Sequence, residues 1–152
     1  MKRFLPALLL GALAVMAGCA SGPRLSDSEK VALYRAHAGE PVRDFSFFGR
    51  INGWTPLGDS ALAVHTRPSE AYLLELFGPC PDLDFAQAIS LSSQMSRVSA
   101  GFDSVTPVGG GTGSIRIPCR IESIRPLDLG ALRDAQTELR EAQVIEREAS
   151  AD

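Results

Sequence analysis

Hydrophobic and polar residues change their spacing several times along the chain, and each spacing predicts a different element. In the segment 26–41, apolar residues recur at helical spacing and form a stripe that we expect to pack on another part of the protein. Ser26 and Glu29 have the spacing of a capping box, and a glycine and a proline stand at the end of the segment. The stripe consists of Val31, Tyr34 and Ala38. The segment is therefore predicted to be a helix.

From residue 45 the period changes to two, which is typical of strands. The alternation predicts strands over 45–51, 61–66 and 71–77, separated by turns at 55–60 and 67–70. These turns contain proline, glycine, serine and aspartate, which favour tight chain reversals. Three consecutive strands joined by short turns predict an antiparallel meander.

A short helix is predicted to follow the third strand. Pro81 suits the first position of a helix, and the negative charges of Asp82 and Asp84 suit its positive N-terminal end. Apolar residues further along form one edge. We therefore expect a helix over 81–89.

The segment 114–123 predicts the clearest strand of the second half, with Cys119 on its buried face. Because Pro118 cannot donate a backbone hydrogen bond, this strand is predicted to lie at a sheet edge or to be bulged. The preceding segment 96–108 is compatible with two strands around a glycine, and the glycine-rich segment 109–114 is expected to form a hairpin tip.

The tail, residues 128–152, favours a helix and carries seven acidic residues against three arginines. We expect it to dock weakly or to fray beside a single globular domain over 26–127. Together the elements predict an α+β fold: a curled antiparallel sheet of about five to six strands with an N-terminal helix, a short inserted helix and a helical tail. The pattern leaves open whether the sheet closes into a barrel.

The first residues of the chain have a pattern of their own. Lys2 and Arg3 precede an apolar run of thirteen residues, 4–16. A membrane span needs roughly 20 apolar residues, whereas a run of this length is typical of a secretory signal peptide. Residues 1–18 are therefore predicted to be removed after export, which leaves a short tether over 19–25.

The apolar run ends in Met16-Ala17-Gly18-Cys19, which resembles the lipobox of bacterial lipoproteins. In that family the cysteine thiol is joined to diacylglycerol, the chain is cut before the cysteine, and the new amine is acylated. The resemblance therefore implies that Cys19 is a lipid anchor. Ala20, in place of aspartate, implies sorting to the outer membrane, with the protein facing the periplasm. The alternative is an apolar N-terminus with a chance cysteine.

Removal of residues 1–18 leaves 134 residues with 13 lysines and arginines against 18 acidic residues, a net charge of −5. That length is sufficient for one domain with a modest core. A mildly acidic chain without a basic stripe argues against binding to nucleic acid or to anionic lipid surfaces.

Two cysteines remain besides the predicted anchor, Cys80 and Cys119. In an oxidising periplasm an even pair predicts a disulfide, here closing a loop of roughly 40 residues. The alternative is a pair of free or metal-binding thiols. It lacks partners, because neither His37 nor His65 is at ligand spacing from a cysteine. We therefore expect a disulfide, no metal and no cofactor.

The segment 45–127 resembles a family of small Gram-negative lipoproteins known only as a domain of unknown function. The resemblance rests on the turn at Trp54, the strand containing Tyr72, the two cysteines just described and the closing segment 121–124. It covers roughly 80 residues and leaves out the N-terminal helix and the tail. It implies an exported, disulfide-containing domain and brings no established activity.

Candidate catalytic residues are few. The segment 109–114 lacks the Gly-Lys-Ser/Thr ending of a phosphate-binding loop. No G-x-S-x-G motif is present, and only His65 qualifies as the base of a hydrolase, although a place on the less apolar face of a strand explains it more simply. Asp82 and Asp84 are two positions apart and point to different sides, so helix capping explains them better than catalysis.

Two aromatic residues, Trp54 and Phe48, are candidates for a binding surface, although core packing explains most aromatic side chains. The sequence favours a lipid-anchored, non-enzymatic binding or structural module, with the membrane and an envelope protein or glycan as partners. The alternatives are a periplasmic hydrolase that uses His65 and a small-ligand carrier with an apolar interior.

Overall fold

The computed structural model describes residues 24–109 and 116–150. In chain order its elements are α1 (Asp27–Ala36), β1 (Asp44–Ser46), β2 (Gly53–Pro56), β3 (Ala61–Arg67), β4 (Glu70–Leu76), a 3-10 turn (Leu83–Phe85), β5 (Ala88–Leu91), β6 (Arg97–Ser99), β7 (Ser104–Val108), β8 (Cys119–Pro126) and α2 (Leu129–Ala149). The predicted signal peptide, Cys19 and most of the glycine-rich segment lie outside the described residues. Neither α1 nor α2 is long and apolar enough to cross a membrane.

Six strands form one antiparallel sheet in the order β2-β3-β4-β8-β7-β5. The sheet curls into a half-barrel, and β1 pairs with β6 as a separate two-stranded ribbon. β2, β3 and β4 are consecutive along the chain and adjacent in the sheet, so they form an antiparallel meander. Its second and third strands are the predicted ones, whereas its first strand is β2 and not the predicted segment 45–51. The predicted α+β fold with a curled antiparallel sheet is confirmed.

One face of the sheet carries the main hydrophobic core. Phe45 and Val98 lie opposite each other in the ribbon and are both buried in this core, so the ribbon packs across that face. The ring of Phe45 also stacks on that of Tyr72, with 4.6 Å between the centroids. The sheet contributes Leu62, Val64, Leu74, Leu76, Val105, Ile121 and Ile124.

The other face of the sheet is covered by α1. Because neighbouring side chains on a strand point to opposite faces, β4 buries Leu74 in the main core and Leu73 in a second cluster beneath the helix. The stripe predicted on the helix packs against this second cluster, which consists of Leu57, Ala61 and Leu73 with Val31, Tyr34, Ala38 and Leu127 around them. The sequence therefore identified the buried side of α1 correctly.

The start of α1 is fixed by two local features. The predicted capping box is present: the Ser26 side chain accepts from the backbone N–H of Glu29, whose carboxylate accepts from the backbone N–H of Ser26 at 2.7 Å. Hydrogen bonds from the Ser26 hydroxyl and backbone lower the pKa of Glu29. In addition, a Cβ added to Gly58 (φ +100°) would lie 2.6 Å from Cβ of Asp27, so the β2–β3 turn lies directly against the helix start.

The strand predicted over 45–51 is wrong. β1 ends at Ser46, and the chain bends before β2 begins. Gly49 has a φ of +77°, a left-handed conformation that interrupts the strand. The alternation of residue types in the sequence gives no sign of this interruption. The turn predicted at 55–60 begins too early, because Pro56 belongs to β2. β2 tolerates this proline since it is an edge strand.

The helix predicted over 81–89 is also wrong, because this segment contains only the 3-10 turn and the start of β5. Asp82 has a φ of +64° and its side chain makes no capping hydrogen bond. Leu83 is fully buried in the main core, whereas Ile89 joins β5 and pairs with β7. The core contact of Leu83 and the strand pairing of Ile89 thus override the local preference for a helix.

The strand predicted over 114–123 is shifted. β8 begins at Cys119, directly after Pro118, and is central in the sheet, so the predicted edge position is wrong. A bulge does occur, but at Glu122, where β8 has one residue more than β4. Cys119 is buried as predicted. Ile117 is two positions earlier and would share that face if the strand began at residue 114, but it lies before β8 and is 49% exposed.

The tail forms the predicted helix, α2. The Asp128 carboxylate caps it by accepting two backbone N–H groups of the first turn, each at 3.0 Å. Leu132 is buried, and Gln136 donates to the hydroxyl of Tyr34 at 3.3 Å. The first half of α2 therefore packs beside α1.

Candidate functional site

The two cysteines of the domain form a disulfide within the main core. Cys80 and Cys119 are bonded, their Cα atoms are 5.6 Å apart, and they are 0% and 9% exposed. The backbone N–H of Cys80 donates to the carbonyl of Asp59 at 2.7 Å, which joins the β2–β3 turn to the disulfide. The predicted disulfide is therefore confirmed, and it connects the loop after β4 to the start of β8.

The two aromatic residues proposed as a binding surface have different surroundings. Trp54 lies on β2 opposite Val64, is half-buried and packs against the main core. Phe48 lies in the bend after β1 and is 80% exposed. Of the two, Phe48 has the accessibility that a contact residue needs.

An exposed methionine stands near Phe48. The segment 94–97 forms a two-residue turn in which Gln94 and Arg97 exchange backbone hydrogen bonds at 3.0 Å. The backbone N–H of Phe47 donates to the carbonyl of Ser96 at 3.0 Å, which joins the bend to the turn. Met95, next to Ser96, is 100% exposed. We call the segments 47–48 and 94–97 the apolar tip.

The turn of the apolar tip has an unfavourable sequence for its conformation. Met95 and Ser96 have φ of 49° and 61°, which favour asparagine and glycine. The sequence therefore gives no turn signal there, and sequence reasoning missed Met95.

His65 lies on β3 between Gly53 and Ala71 of the neighbouring strands and is half-buried. Its imidazole makes no hydrogen bond or ion pair with any residue of 24–109 and 116–150. A hydrolase base would need a serine or threonine and a carboxylate near it. Among those residues, no serine, threonine or carboxylate side chain is hydrogen-bonded to His65.

A carboxylate joins three elements on the helix-covered side of the sheet. Glu75 of β4 accepts from Arg35 of α1 and from the hydroxyl of Ser123 at 2.8 Å, and Arg125 Nε lies 3.7 Å away. Burial raises the pKa of Glu75, but the hydrogen bonds from Arg35 and Ser123 and the charges of both arginines outweigh it. The pKa of Glu75 therefore lies below its usual value.

A second carboxylate organises the β3–β4 turn. Glu70 accepts from the hydroxyls of Thr66 at 2.6 Å and Tyr72 at 3.2 Å and pairs with Arg67. The hydrogen bond from Thr66 contributes most to lowering the pKa of Glu70. Burial, followed by the negative charge of Glu70, raises the pKa of Tyr72. These contacts stabilise a tight turn.

Asp103 is a buried carboxylate, 7% exposed, that forms no ion pair with any residue of 24–109 and 116–150. Its two oxygens accept from the hydroxyl of Ser92 and the backbone N–H of Ser99, each at 2.7 Å. Ser99 is the last residue of β6 and Ser92 directly follows β5, whereas Asp103 directly precedes β7. Asp103 therefore holds the ribbon and the end of β5 to the start of β7. Across residues 24–109 and 116–150, no three His, Cys, Asp or Glu side chains are grouped as a metal site.

A cleft of about 650 Å³ lies between α1, the end of β2 and α2. Apolar side chains form part of its lining, and arginine and lysine side chains also line it. Arg24 and Leu25, the first described residues, also line it. No sequence pattern marks this cleft, because its walls come from segments more than 100 residues apart.

The comparisons with known proteins identify a family and no named relative. No curated protein matches the chain, and no solved structure matches it. A family of unknown function, DUF6491, matches residues 1–143. This range includes α1 and most of α2, which the resemblance over 45–127 left out. The chain therefore belongs to the DUF6491 family.

Proposed function

We propose that this protein is a lipid-anchored module of the bacterial cell envelope that binds an envelope partner and catalyses no reaction. Acyl chains on Cys19 hold it to the outer membrane, facing the periplasm, after residues 1–18 are removed. The disulfide between Cys80 and Cys119 is the observation that carries the proposal, because such bonds persist in oxidising compartments and are rare in the cytosol.

The distribution of the three cysteines supports the same conclusion. Two of them are buried together in the core, whereas Cys19 precedes the domain, five positions before the first described residue. A cysteine that ends an apolar run and is followed by a short tether fits acylation. The match to the family covers residues 1–143, a range that contains residues 1–18 and Cys19, which supports the proposal.

The apolar tip is the proposed contact surface for a protein partner. Phe48 and Met95 are 80% and 100% exposed on neighbouring loops. The turn that carries Met95 has two residues other than glycine at positive φ, a backbone cost that a purely structural turn avoids with asparagine and glycine. The presence of an exposed methionine in such a turn favours a role in recognition.

The anchor is tested by replacing the cysteine. We expect the Cys19→Ser variant to lose the acyl mass and to leave the detergent-soluble outer-membrane fraction, whereas a Cys80→Ala/Cys119→Ala variant remains in it. Retention of Cys19→Ser protein in that fraction without added lipid mass would overturn the proposed anchor.

The contact surface is tested separately. A photo-reactive amino acid at position 48 should cross-link a discrete envelope protein in intact cells, and a Met95→Ser change should lower the yield several-fold. Phe102, 86% exposed on the β6–β7 turn, is the matched control position. Equal cross-linking from positions 48 and 102 would rule out the apolar tip as the specific surface.

A further inference from the structure

Positive charge gathers at one place in this acidic protein. Among the residues that the structure describes, four cationic side chains and no acidic one line the cleft between α1, β2 and α2. They are Arg24, Lys30, Arg140 and Arg147. Lys30 pairs with Asp27 at 2.8 Å, whereas the three arginines make no ion pair within the described ranges. The net charge of the chain conceals this cluster because composition averages over all surfaces.

α2 aligns its contribution to the cleft along one face. Gln136, Leu139 and Gln143 follow at intervals of three and four residues, and Arg140 and Arg147 are one heptad apart. Residues at these intervals lie on one side of a helix. The cleft therefore has a defined cationic wall formed by the second half of α2.

Part of the lining of the cleft, which we call its floor, is apolar. α1 contributes Leu33, α2 contributes Leu139, and Leu57 follows directly after β2. A ligand with a hydrocarbon chain on this floor and an anionic group among the arginines would contact both the apolar and the cationic part of the lining. Arginine binds phosphate oxygens in a bidentate manner, so the lining suits a phosphate ester that carries an apolar chain.

The position of the cleft along the chain favours a membrane source for that molecule. Arg24 lines the cleft, and Cys19 precedes it by five residues. Five residues span at most about 18 Å when fully extended. If Cys19 is acylated, a step that rests on the proposed function, the cleft stays within about 18 Å of the cysteine that carries the lipid.

We propose that this cleft binds one anionic phospholipid of the membrane to which the protein is anchored. The phosphate lies among Arg24, Arg140 and Arg147, and the first part of an acyl chain lies on the apolar floor. The contact fixes the orientation of the domain on the bilayer, which a flexible tether alone leaves free.

Native mass spectrometry of the full protein, purified from its host in neutral detergent, tests this proposal. The probes are dioleoyl-phosphatidylglycerol, zwitterionic dioleoyl-phosphatidylcholine and glycerol 3-phosphate, which has the anionic group without the chains. We expect one phosphatidylglycerol per protein, bound at least about tenfold more tightly than phosphatidylcholine, and no retention of glycerol 3-phosphate. The Arg140→Gln/Arg147→Gln variant should lose this preference.

Arg133→Gln is the matched control, because Arg133 lies on the same helix but does not line the cleft. Equal retention of the two lipids, retention of glycerol 3-phosphate as strong as that of phosphatidylglycerol, or an equal effect of the control variant would each overturn the proposal. Thermal unfolding of each variant shows that it is folded. A denaturing spectrum of the same sample reads the mass on Cys19, so failure of the anchor is distinguished from failure of the cleft.

Discussion

Arg35 of α1 donates through Nε to the Glu75 carboxylate of β4 at 3.0 Å, across 40 positions of sequence. Glu75 also accepts from Ser123 of β8, so one carboxylate connects the helix to two central strands. Its side chain is 16% exposed, which reduces screening by water. This contact complements the apolar packing of α1 on the sheet.

Replacement of Glu75 by glutamine should lower the free energy of unfolding at pH 7 by about 1–2 kcal/mol, because Arg35 and Arg125 lose their counter-charge. Urea denaturation measures the change. Glu122→Gln, on an exposed position of the adjacent strand, is the matched control and should be nearly neutral. Equal midpoints for the wild type and Glu75→Gln would contradict a stabilising role.

The same carboxylate predicts a dependence on pH. The pKa of Glu75 is lowered in the folded state, so its contribution is complete above the unfolded value near 4.5 and is lost as the pH falls through the folded value. The stability difference between the wild type and Glu75→Gln should therefore shrink as the pH falls below about 4.5. Urea midpoints measured from pH 7 to pH 3 test this. A difference that grows on acidification would contradict it.

Reduction of the disulfide should destabilise the fold substantially. The cysteines are 39 positions apart, and the chain-entropy relation assigns such a loop about 4 kcal/mol. Urea denaturation with and without dithiothreitol measures this loss. A Cys80→Ala/Cys119→Ala variant is the control and should not respond to the reductant. An unchanged wild-type midpoint after complete reduction would contradict the structural role of the disulfide.

Asp103→Ala should destabilise the protein by about 2–3 kcal/mol. The substitution removes two hydrogen bonds to a buried carboxylate and leaves the Ser92 hydroxyl and the Ser99 backbone N–H without their acceptor. Chemical denaturation measures the loss. Asp84→Ala, at an exposed position of the 3-10 turn, is the control. A comparable effect of both substitutions would argue against the role of Asp103 in holding the ribbon to β7.

Met95→Asn with Ser96→Gly should raise the free energy of unfolding by about 1 kcal/mol, because both positions have positive φ. At the same time it removes the exposed thioether and should reduce cross-linking from position 48. Thermal denaturation and cross-linking yield measure the two effects. A gain in stability with full cross-linking would show that the Met95 side chain is not needed for contact with the partner.

Local patterns in the sequence predicted the elements that local chemistry controls. The capping box at Ser26 and the alternation in β3 and β4 each reflect neighbours close in sequence. The disulfide between the two cysteines was predicted from their even number together with the predicted export to an oxidising compartment. In these cases the residue types alone carried sufficient information.

The errors have long-range causes. Asp82 takes a left-handed conformation while Leu83 is buried in the core, which no helix rule anticipates. β8 is central because it pairs with β4 on one side and with β7 on the other. The edge position predicted from Pro118 was wrong because one proline gives no information about these pairings. The cationic cleft forms only when α2 packs beside α1. From the sequence alone, its arginines cannot be distinguished from ordinary solvent-exposed charges, so the cleft was not predicted.

Intact mass spectrometry of the protein from its native host tests the central claim most directly. The account predicts a chain that begins at Cys19, is heavier by a diacylglycerol and an amide-linked acyl group, and is two hydrogens lighter through the disulfide. An uncut chain that begins at Met1, with no attached lipid and free thiols at Cys80 and Cys119, would contradict it.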